Sequence, residues 1–310
     1  MVVVTWQGAE FLAACLDSLA AQTVEHELIV VDNASTDGTA DVLAGYPAAR
    51  VLRTERNLGF AGGAEAGLRA AHGTFVAFLN DDAVAEPDWL AALLRAITED
   101  DRIAAVTSLM LLAGSEPPVV NNAGVVLLPT LEGADRAAGA DPAEVGGPAD
   151  VFGFSGGAAM LRRSAALAVG GFPERFFLYY EDTDLSWRLR LSGWSIRYEP
   201  TAVVHHRHAA SSDPSSRLFA FHNERNRLLM AARCAPAGRA ALVWLRFGLT
   251  TASLALLHVR RGHAEPPQNM RVAVRLRVAA SALRLLPWAL GSRRRIRAGS
   301  APAAACAPGR

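Results

Sequence analysis

Lysine is absent from the sequence, so all 31 basic residues are arginines. This absence excludes enzymes that depend on a Schiff-base lysine and nucleotide-binding proteins that depend on a P-loop lysine. Cysteine is scarce, and Cys15, Cys234 and Cys306 lie far apart and fit no metal-binding spacing. Three dispersed cysteines argue against a disulfide framework and predict a reducing, cytoplasmic compartment. No signal peptide is expected, because a strand-like run follows Met1 at once.

Charge is distributed unevenly along the 310 residues, although the formal net charge is only +1. Residues 1–213 hold 14 arginines against 28 acidic residues, and residues 214–310 hold 17 arginines against two. The net charges of −14 and +15 predict an acidic body and a basic region with separate roles. We predict a main domain over 1–213, an Arg-rich helical region over 214–292 and a disordered tail over 293–310.

Strand and helix signals alternate through the first hundred residues. Apolar runs are separated by stretches with apolar residues at the i, i+3, i+4 spacing of an amphipathic helix. Strands that are apolar throughout and separated by helices predict an α/β fold, with a mostly parallel sheet covered by helices on both faces. The predicted strands are 2–5, 28–31, 51–52, 75–79 and 103–107, and the predicted helices are 10–21, 61–71 and 89–97.

The pattern changes after residue 120. Residues 121–128 have the pattern of one strand, whereas 130–148 have too little apolar content to pack, which predicts a mobile loop over a binding site. The most apolar stretch, 240–259, is about long enough to span a bilayer, but Arg246 lies inside it, so a buried or interfacial helix is favoured. The other predicted elements are strands at 158–161, 196–198 and 202–205 and a helix at 183–191.

Polar side chains follow the second predicted strand. Asp32 and Asn33 come directly after Val31, and ligands of open α/β sheets bind at the carboxyl ends of strands. Asp32 is able to accept a hydrogen bond from the imide of a base, and Asn33 to donate one to a base carbonyl. The alternative is an Asx turn with a helix N-cap, which we expect for Ser35 and Asp37.

A glycine-rich turn at 56–63 leads into the next predicted helix. Its backbone amides, including that of Gly62, are able to approach a nucleotide, and Asn57 is able to contact base or ribose. The glycine spacing differs from that of the dinucleotide-binding fingerprint. The turn alone is therefore a weak signal of a nucleotide site.

Asn80, Asp81 and Asp82 follow the apolar strand predicted at 75–79. Hard divalent cations take oxygen ligands and share them with substrate phosphates. We predict Asp82 as a ligand of Mg²⁺ or Mn²⁺, Asp81 as a ribose contact and Asn80 as support. The alternative is a polar strand end with a turn.

A second acidic cluster, Glu181, Asp182 and Asp184, follows a run of aromatic residues. A carboxylate held against apolar surface has a raised pKa, which suits it to remove a proton from a hydroxyl. Trp187 and Arg188 come one helical turn later, within reach of the same face. The alternative is an ordinary helix cap, above all for Asp184.

Three histidines in four residues, His205, His206 and His208, follow the strand predicted at 202–205. An imidazole here is able to complete a metal site whose carboxylate comes from Asp82. A zinc hydrolase is disfavoured, because neither a His-Glu-x-x-His spacing nor a cysteine pair supplies a closed ligand set.

In this order, the motifs resemble the family 2 inverting glycosyltransferases of GT-A fold. They are most similar to the bacterial rhamnosyl- and galactofuranosyltransferase branch that builds cell-surface polysaccharides. Each motif alone is weak, but the ordered set, which covers residues 1 to about 235, is specific. The matching segments are 3–6, 31–39, 57–63, 79–82, 156–157, 180–188, 204–206 and 223–226.

The resemblance implies that Asp32 binds the base with Thr5 beside it and that Asp182 deprotonates the acceptor hydroxyl. It also implies that Asp82 and His206 (or His205) contact a metal on the donor diphosphate. Gln7 and Glu65 depart from the pattern, because the family usually has asparagine there. Together with the predictions above, the expected site comprises Asp182 as base, Asp82 and His206 at the metal, and Thr5, Asp32, Asn33, Asn57, Gly62, Asp81, Glu181, Trp187 and Arg188 at substrate or nucleotide.

The implied protein is an inverting, metal-dependent glycosyltransferase with a GT-A catalytic domain and a basic helical extension. It would move a sugar from a dTDP-rhamnose-like or UDP-sugar donor to a hydroxyl of a lipid-linked or cell-surface polysaccharide acceptor. A nucleotidyltransferase and a non-catalytic nucleotide-sugar-binding protein are the alternatives.

The Arg-rich region has no stacking platform for nucleic acid, so we expect it to contact anionic lipid instead. This contact would place a cytoplasmic protein peripherally at the inner face of the plasma membrane. The alternative is a helical cap that is rich in arginine through genomic composition alone.

Overall fold

The computed structural model describes residues 1–207, 215–261 and 267–298. Strands and helices alternate through the first part of the chain: β1 (Val2–Thr5), α1 (Leu12–Ala20), β2 (Ile29–Asp32), α2 (Thr39–Ala44), β3 (Arg50–Arg53), α3 (Gly59–Ala70), β4 (Phe75–Asn80), β5 (Ala83–Ala85), α4 (Trp89–Thr98) and β6 (Ile103–Leu112). The rest comprises β7 (Val120–Asn122), β8 (Val125–Leu127), β9 (Gly133–Asp135), β10 (Ala149–Asp150), β11 (Ala158–Arg162), α5 (Arg163–Ala168), α6 (Glu181–Leu191), β12 (Ser195–His206), α7 (Arg217–Cys234), α8 (Ala237–Arg261) and α9 (Val272–Ala298).

A ten-stranded sheet forms the centre, in the order β10-β12-β6-β11-β4-β1-β2-β3, with β5 and β7 paired to β12 and β6. Strands β3, β2, β1 and β4 are parallel, and β12 is parallel to β6. Strand β11 lies antiparallel between β4 and β6. Apolar side chains fill both faces, with α3 and α6 on one side and α1 and α4 on the other. The predicted α/β fold with helices on both faces is confirmed.

Several predicted boundaries are wrong. The single strand at 121–128 is two strands, because Gly124 turns the chain with φ +106° between β7 and β8. The two strands predicted at 196–198 and 202–205 are one, β12, whose pairing is irregular between Glu199 and Val203. The disorder predicted from residue 293 is wrong for 293–298, which belong to α9, and 299–310 lie outside the described residues.

The segment 130–148 is not the structureless loop that we expected. Strand β9 pairs with β8 within it, and residues 142–144 form a 3₁₀ turn. The Ala123 amide donates to Arg136 O at 3.0 Å, and the Leu131 side chain is only 3% exposed. Apolar content was therefore a poor guide, because backbone hydrogen bonds hold this segment.

Helices α7 and α9 pack against each other through buried apolar side chains such as Leu228, Ala231, Val278 and Ala282. Helix α7 also contacts α6, so it joins the C-terminal helices to the sheet body. The proposed division at residues 213 and 214 stays a prediction.

Helix α8 is less covered. Among the described residues, one stretch, 237–257, is long and apolar enough to cross a membrane by length and composition, and 22% of its most apolar window is buried.

Candidate functional site

The carboxyl ends of β1, β2 and β4 meet at one edge of the sheet. Thr5 lies opposite Asp32 in the pairing of β1 with β2, and Val4 lies opposite Asn80 in the pairing with β4. Thr5 and Asp32 are each 1% exposed. A Cβ at Gly8 would lie 2.5 Å from Asp81 Oδ2, so only glycine leaves room for this side chain beside Thr5. Residues from three strands thus converge as expected.

Each of the two carboxylate oxygens of Asp32 accepts a hydrogen bond from another group of the protein. Its Oδ1 accepts from the Ser35 amide at 2.9 Å, and its Oδ2 accepts from Arg53 Nη1 at 2.8 Å. Arg53 lies opposite Asp32 in the neighbouring strand β3, is half exposed and also donates to Ser35 O. A carboxylate has about four acceptor positions, so two remain for a base. The base contact of Asp32 stays a prediction.

The side chain of Asn33 forms hydrogen bonds with the loop before α3. Its Nδ2 donates to Gly59 O at 2.9 Å and to Asn57 Oδ1 at 3.1 Å. Its Oδ1 accepts from the Leu58 amide at 2.9 Å and from Thr54 Oγ1 at 3.2 Å. These bonds fill all four positions of the carboxamide, so the predicted contact with the base is wrong.

The glycine-rich turn supports helix packing. Gly62 is buried in α3, where a Cβ would lie 2.5 Å from the Cβ of Leu58, and Gly63 packs on Val4 of β1. Gly62 therefore has a packing role, and its predicted nucleotide contact stays a prediction. Asn57 Oδ1 accepts from the Gly59 amide at 2.7 Å, and the nucleotide contact of Asn57 stays a prediction.

The two departures from the family pattern have structural roles. Gln7 Oε1 accepts from the Thr36 amide at 2.6 Å and so holds the turn after β2. The buried Glu65 accepts from the Phe172 amide at 2.7 Å and pairs with Arg69 at 2.6 Å. Gln7 and Glu65 therefore both form hydrogen bonds that hold neighbouring segments of the protein in place.

Pairing of β5 with β12 brings His206 to the acidic pair. Ala83 lies opposite His206, and Nε2 of His206 lies 3.0 Å from Oδ1 of Asp82. His205 lies on the other face of β12, as the alternation of a strand requires, with its Nε2 2.8 Å from Glu86 on the surface. His206 is thus the histidine that lies with Asp82, and His208 lies outside the described residues.

Asn121 orients the imidazole of His206. Its Oδ1 lies 2.9 Å from His206 Nδ1, and Asn80 Nδ2 lies 3.3 Å from Nε2. Because a carboxamide oxygen only accepts, Nδ1 donates to Asn121, and Nε2 is the ring nitrogen that faces Asp82. Such a second partner for the other ring nitrogen is typical of metal-ligating histidines.

The residues present fit a divalent cation that takes further ligands from a substrate. No group of three or more His, Cys, Asp or Glu side chains is close enough to hold a metal within 1–207, 215–261 and 267–298. Asp82 and His206 would supply two ligands, and Mg²⁺ typically binds one or two carboxylates together with substrate phosphates. Burial raises the pKa of Asp81 to about 6, opposed by the Thr5 hydroxyl and increased by Asp82.

The segment before α6 has an unusual backbone. Phe177, Tyr179 and Tyr180 all adopt left-handed conformations, with φ of +66°, +68° and +70°. Left-handed bulky residues persist only where surrounding structure holds them, and they cluster at functional sites. Here Asn226 Nδ2 of α7 donates to the carbonyls of Leu178 and Tyr179 at 2.8 and 2.7 Å.

Asp182 stands at the start of α6. Its Oδ2 accepts from the Gly156 amide at 2.9 Å, and its Oδ1 accepts from Thr183 Oγ1 at 3.0 Å. Burial raises the pKa of Asp182, although the Gly156 and Thr183 hydrogen bonds lower it. The neighbouring Glu181 is 5% exposed, its Oε2 has no hydrogen-bond partner, and burial raises its pKa further.

Two consecutive glycines connect the acidic clusters. Gly156 donates to Asp182, and Gly157 O accepts from the Asn80 amide at 2.9 Å. A Cβ at Gly157 would lie 2.9 Å from Met110 Cε and 3.2 Å from Asn80 Nδ2, so the segment passes close to both side chains. The residue before Asp81 and the acid at Asp182 therefore contact neighbouring positions of one segment.

Arg188 does not face substrate. It is 1% exposed, its Nε donates to Asp184 at 2.7 Å, and its two Nη atoms donate to Val169 O and Gly171 O at 2.6 and 2.7 Å. The predicted substrate contact of Arg188 is wrong, because a buried ion pair and two carbonyls use the guanidinium. Trp187 packs edge-on against Phe152 at 5.9 Å, and its substrate contact stays a prediction.

Sequence analysis missed the roles of Arg53, Asn121 and Asn226. Arg53 lies opposite Asp32 only once the register of β3 is known, and Asn121 meets His206 across 85 residues of chain. Asn226 belongs to the motif 223–226, to which no role was assigned. The run of polar residues around it was the feature of the sequence that pointed to a specific role.

Comparisons with known proteins agree with this geometry. The Glycosyl transferase family 2 profile matches residues 1–128, and that of Glycosyl transferase family group 2 matches 75–259. The chain is 33% identical over 273 residues to "N-acetylglucosaminyl-diphospho-decaprenol L-rhamnosyltransferase" of Mycobacterium tuberculosis, covering 79% of this chain and 87% of the relative.

Solved structures share the fold at low sequence identity. GalNAc-T7 with UDP, GalNAc and Mn²⁺ superimposes with a TM-score of 0.63 at 14% identity, covering 94% of this chain and 56% of that one. The mannosyltransferase PcManGT of Pyrobaculum calidifontis, with GDP-Man and Mn²⁺, gives 0.53 at 19% identity, covering 95% and 72%. The fold is therefore GT-A, and the chain is a glycosyltransferase that belongs to glycosyltransferase family 2.

Proposed function

We propose that the chain is an inverting, metal-dependent glycosyltransferase that uses a nucleoside diphosphate sugar. The observation that supports this proposal is the contact of two consecutive glycines with the two acidic clusters, because the Gly156 amide donates to Asp182 and Gly157 O accepts from the Asn80 amide, one residue before Asp81. Family membership sets aside nucleotidyl transfer and non-catalytic binding, which were the alternatives.

Asp182 is the proposed general base. It takes the proton of the acceptor hydroxyl as the acceptor oxygen bonds to the anomeric carbon and the bond from that carbon to the donor phosphate breaks. The electron pair of the broken bond leaves with the nucleoside diphosphate. The Gly156 amide orients the carboxylate, and burial raises the pKa of Asp182, which makes its carboxylate a stronger base.

Asp82 and His206 are the proposed metal ligands, with Mg²⁺ or Mn²⁺ as the ion. A bound divalent cation would neutralise negative charge on the donor diphosphate. Asp32 is proposed to bind the base, with Arg53 holding its carboxylate and Thr5 beside it, and Asp81 is proposed to contact the ribose. Asn80 and Asn121 keep the His206 ring in place.

The donor and acceptor are proposed from the name of the relative. That relative is called a rhamnosyltransferase, and its name includes an N-acetylglucosaminyl-diphospho-decaprenol. We infer a dTDP-rhamnose-like or UDP-sugar donor and a lipid-linked acceptor that serves cell-surface polysaccharide synthesis. A screen of nucleotide sugars against a prenyl-diphosphate-linked N-acetylglucosamine would test this, and transfer to water alone would contradict the acceptor.

The outer faces of α8 and α9 support peripheral contact with an anionic membrane. Exposed leucines recur at helical spacing, and neither helix contains an acidic residue. Exposed arginines such as Arg246, Arg277 and Arg284 stand directly beside them. Apolar side chains flanked by cations are suited to the boundary of an anionic bilayer. The exposed leucines are Leu242, Leu245, Leu249, Leu256 and Leu257 on α8 and Leu276, Leu283 and Leu290 on α9.

Calorimetry with adjacent histidine variants tests the metal site. We expect His206→Ala to lose the Mn²⁺-dependent part of the affinity for a nucleoside diphosphate, whereas His205→Ala, which changes a surface pair with Glu86, should keep it. Loss of a ligand or its support typically costs 10- to 100-fold in metal affinity, roughly. Equal metal dependence in both variants would contradict the assignment of His206.

A further inference from the structure

A cavity of about 430 Å³ lies on the far side of α6, between the end of α3, the segment after α5 and the last turns of α9. It is distinct from the site at Asp182. Arg188, which lines the cavity, is six positions further along α6, which is roughly 9 Å along the helix axis and about 240° around it. The cavity therefore faces a different side of the helix.

The lining of this cavity is basic. Arg69, Arg175, Arg188, Arg233 and Arg295 lie on it, against Glu65 and Glu174. Two of the arginines already have partners, because Arg69 pairs with Glu65 at 2.6 Å and Arg188 pairs with Asp184 at 2.7 Å. Arg233 Nε also lies 3.4 Å from Asp184, which it shares with Arg188, so Arg175 and Arg295 are left against Glu174 and the lining keeps an excess of positive charge.

Arg233 lacks hydrogen-bond acceptors although it is 6% exposed. Its Nε and Nη1 have no hydrogen-bond partner, and Nε lies 3.4 Å from Asp184 Oδ1. The indole of Trp288 lies 4.5 Å from the guanidinium carbon and offers a π face but no acceptor oxygen. A buried guanidinium with two nitrogens that lack acceptors is costly. An anion bound in the cavity would supply the missing acceptors and lower this cost.

We propose that this cavity binds the diphosphate group of a ligand, at a site separate from the catalytic one. Guanidinium groups bind phosphate oxygens in pairs, and three of them around one cavity match a doubly charged group. The volume lies in the range of small-molecule sites and exceeds what one phosphate needs. Free diphosphate and the headgroup of a prenyl diphosphate share this chemistry.

Titration of inorganic pyrophosphate into the full chain, in EDTA, tests the site without any sugar donor. We expect one equivalent to bind, and the variant Arg175→Gln with Arg295→Gln to weaken binding at least tenfold. Both side chains are exposed at the rim, so folding should be kept. Arg294→Gln with Arg297→Gln removes the same charge from the same end of α9 without touching the cavity and should bind as the wild type does.

Vesicles distinguish the two sources of diphosphate. Competition by phosphatidylcholine vesicles that contain farnesyl diphosphate would assign the site to a lipid headgroup, and lack of competition would assign it to a soluble diphosphate. Arg233→Met should abolish pyrophosphate binding, provided circular dichroism shows that it folds. Absent binding, or equal loss in both double variants, would overturn the proposal. Because no sugar is transferred in these titrations, their outcome leaves the proposed glycosyl transfer untouched.

Discussion

The carboxyl edge of the sheet and the outer faces of α8 and α9 hold charge in opposite ways. At the edge, Asp32, Asp182 and His206 are largely buried, and each has named partners at hydrogen-bond distance. On the helices, arginines and leucines are exposed side by side. Function at the edge depends on the position of single atoms, whereas function of the helices would depend on summed area and charge. Single substitutions should therefore be severe in the first region and mild in the second.

The largest effect is expected at Asp182. Asp182→Asn keeps the shape of the side chain but removes the proposed base, and general-base catalysis typically contributes about 10²- to 10⁴-fold. We expect kcat/KM to fall by about this factor while donor affinity by calorimetry stays within about twofold. Asp150→Asn, an exposed acid on the edge strand β10, is the matched control and should leave the rate unchanged. Full activity of Asp182→Asn would refute the base.

The pH dependence of the wild-type rate sharpens this prediction. Burial raises the pKa of Asp182, and only its deprotonated form accepts a proton. Activity should therefore fall on acidification at a pH above the usual aspartate range of about 4. The measurement is kcat/KM against pH for the wild type. An acid limb at or below the usual aspartate value would contradict the assignment.

Membrane contact should respond to numbers of leucines and not to any single one. Each leucine contributes roughly 1 kcal/mol at an interface, so Leu245→Ser should weaken vesicle binding about fivefold. Leu245→Ser, Leu249→Ser and Leu283→Ser together should weaken it about 100-fold. The measurement is flotation with phosphatidylglycerol vesicles. A control variant with Leu128→Ser and Leu218→Ser, exposed elsewhere, should bind normally.

A variant of Asn226 tests whether helix α7 holds the segment before α6 in place. Asn226→Ala removes the donor to three carbonyls of the strained segment, those of Phe176, Leu178 and Tyr179. Leaving buried acceptors unpaired costs about 1–3 kcal/mol, so the melting temperature should fall by roughly 5 °C. The rate should fall as well, because Asp182 loses its fixed position. A stability loss with an unchanged rate would limit Asn226 to folding.

His222 gives the smallest expected effect. Burial and, to a smaller extent, the nearby Arg225 together lower its pKa to about 4, so the folded state favours neutral imidazole. A depressed pKa contributes stability that is present above the unfolded value of about 6.5 and is lost as pH falls toward 4. Between pH 7 and 5, His222→Gln should lose less stability than the wild type, by roughly 1 kcal/mol. Equal losses would contradict the prediction.

Local sequence pattern was enough for the first half of the sheet. Strands β1, β2 and β4 are runs of apolar residues, and α3 and α4 follow the helical spacing, so their positions were predicted within a few residues. The polar residues after β2 and β4 were correctly expected at one edge, because parallel strands bring their carboxyl ends together. The choice between His205 and His206 needed the pairing of β5 with β12.

The sequence did not reveal which polar side chains have their hydrogen-bonding atoms occupied by other groups of the protein. Asn33 and Arg188 have the chemistry of substrate contacts, but the loop before α3 and the pair with Asp184 use all or most of their donors. Residue type does not reveal such occupancy, because the partners are distant in the chain or are backbone carbonyls. The segment 130–148 was misjudged for a related reason, since its order comes from backbone pairing that composition does not encode.

The bonds from Asn226 reach across the gap between sheet and helices. The proposed base, Asp182, follows a segment whose carbonyls are held by α7, and α7 is covered by α9. An engineered fragment that ends after β12 would keep every strand and every proposed metal ligand, yet release the turn that aims the base. The smallest working unit of this enzyme therefore extends well into its arginine-rich half, and anything that lifts α9 from α7 would reach the chemistry.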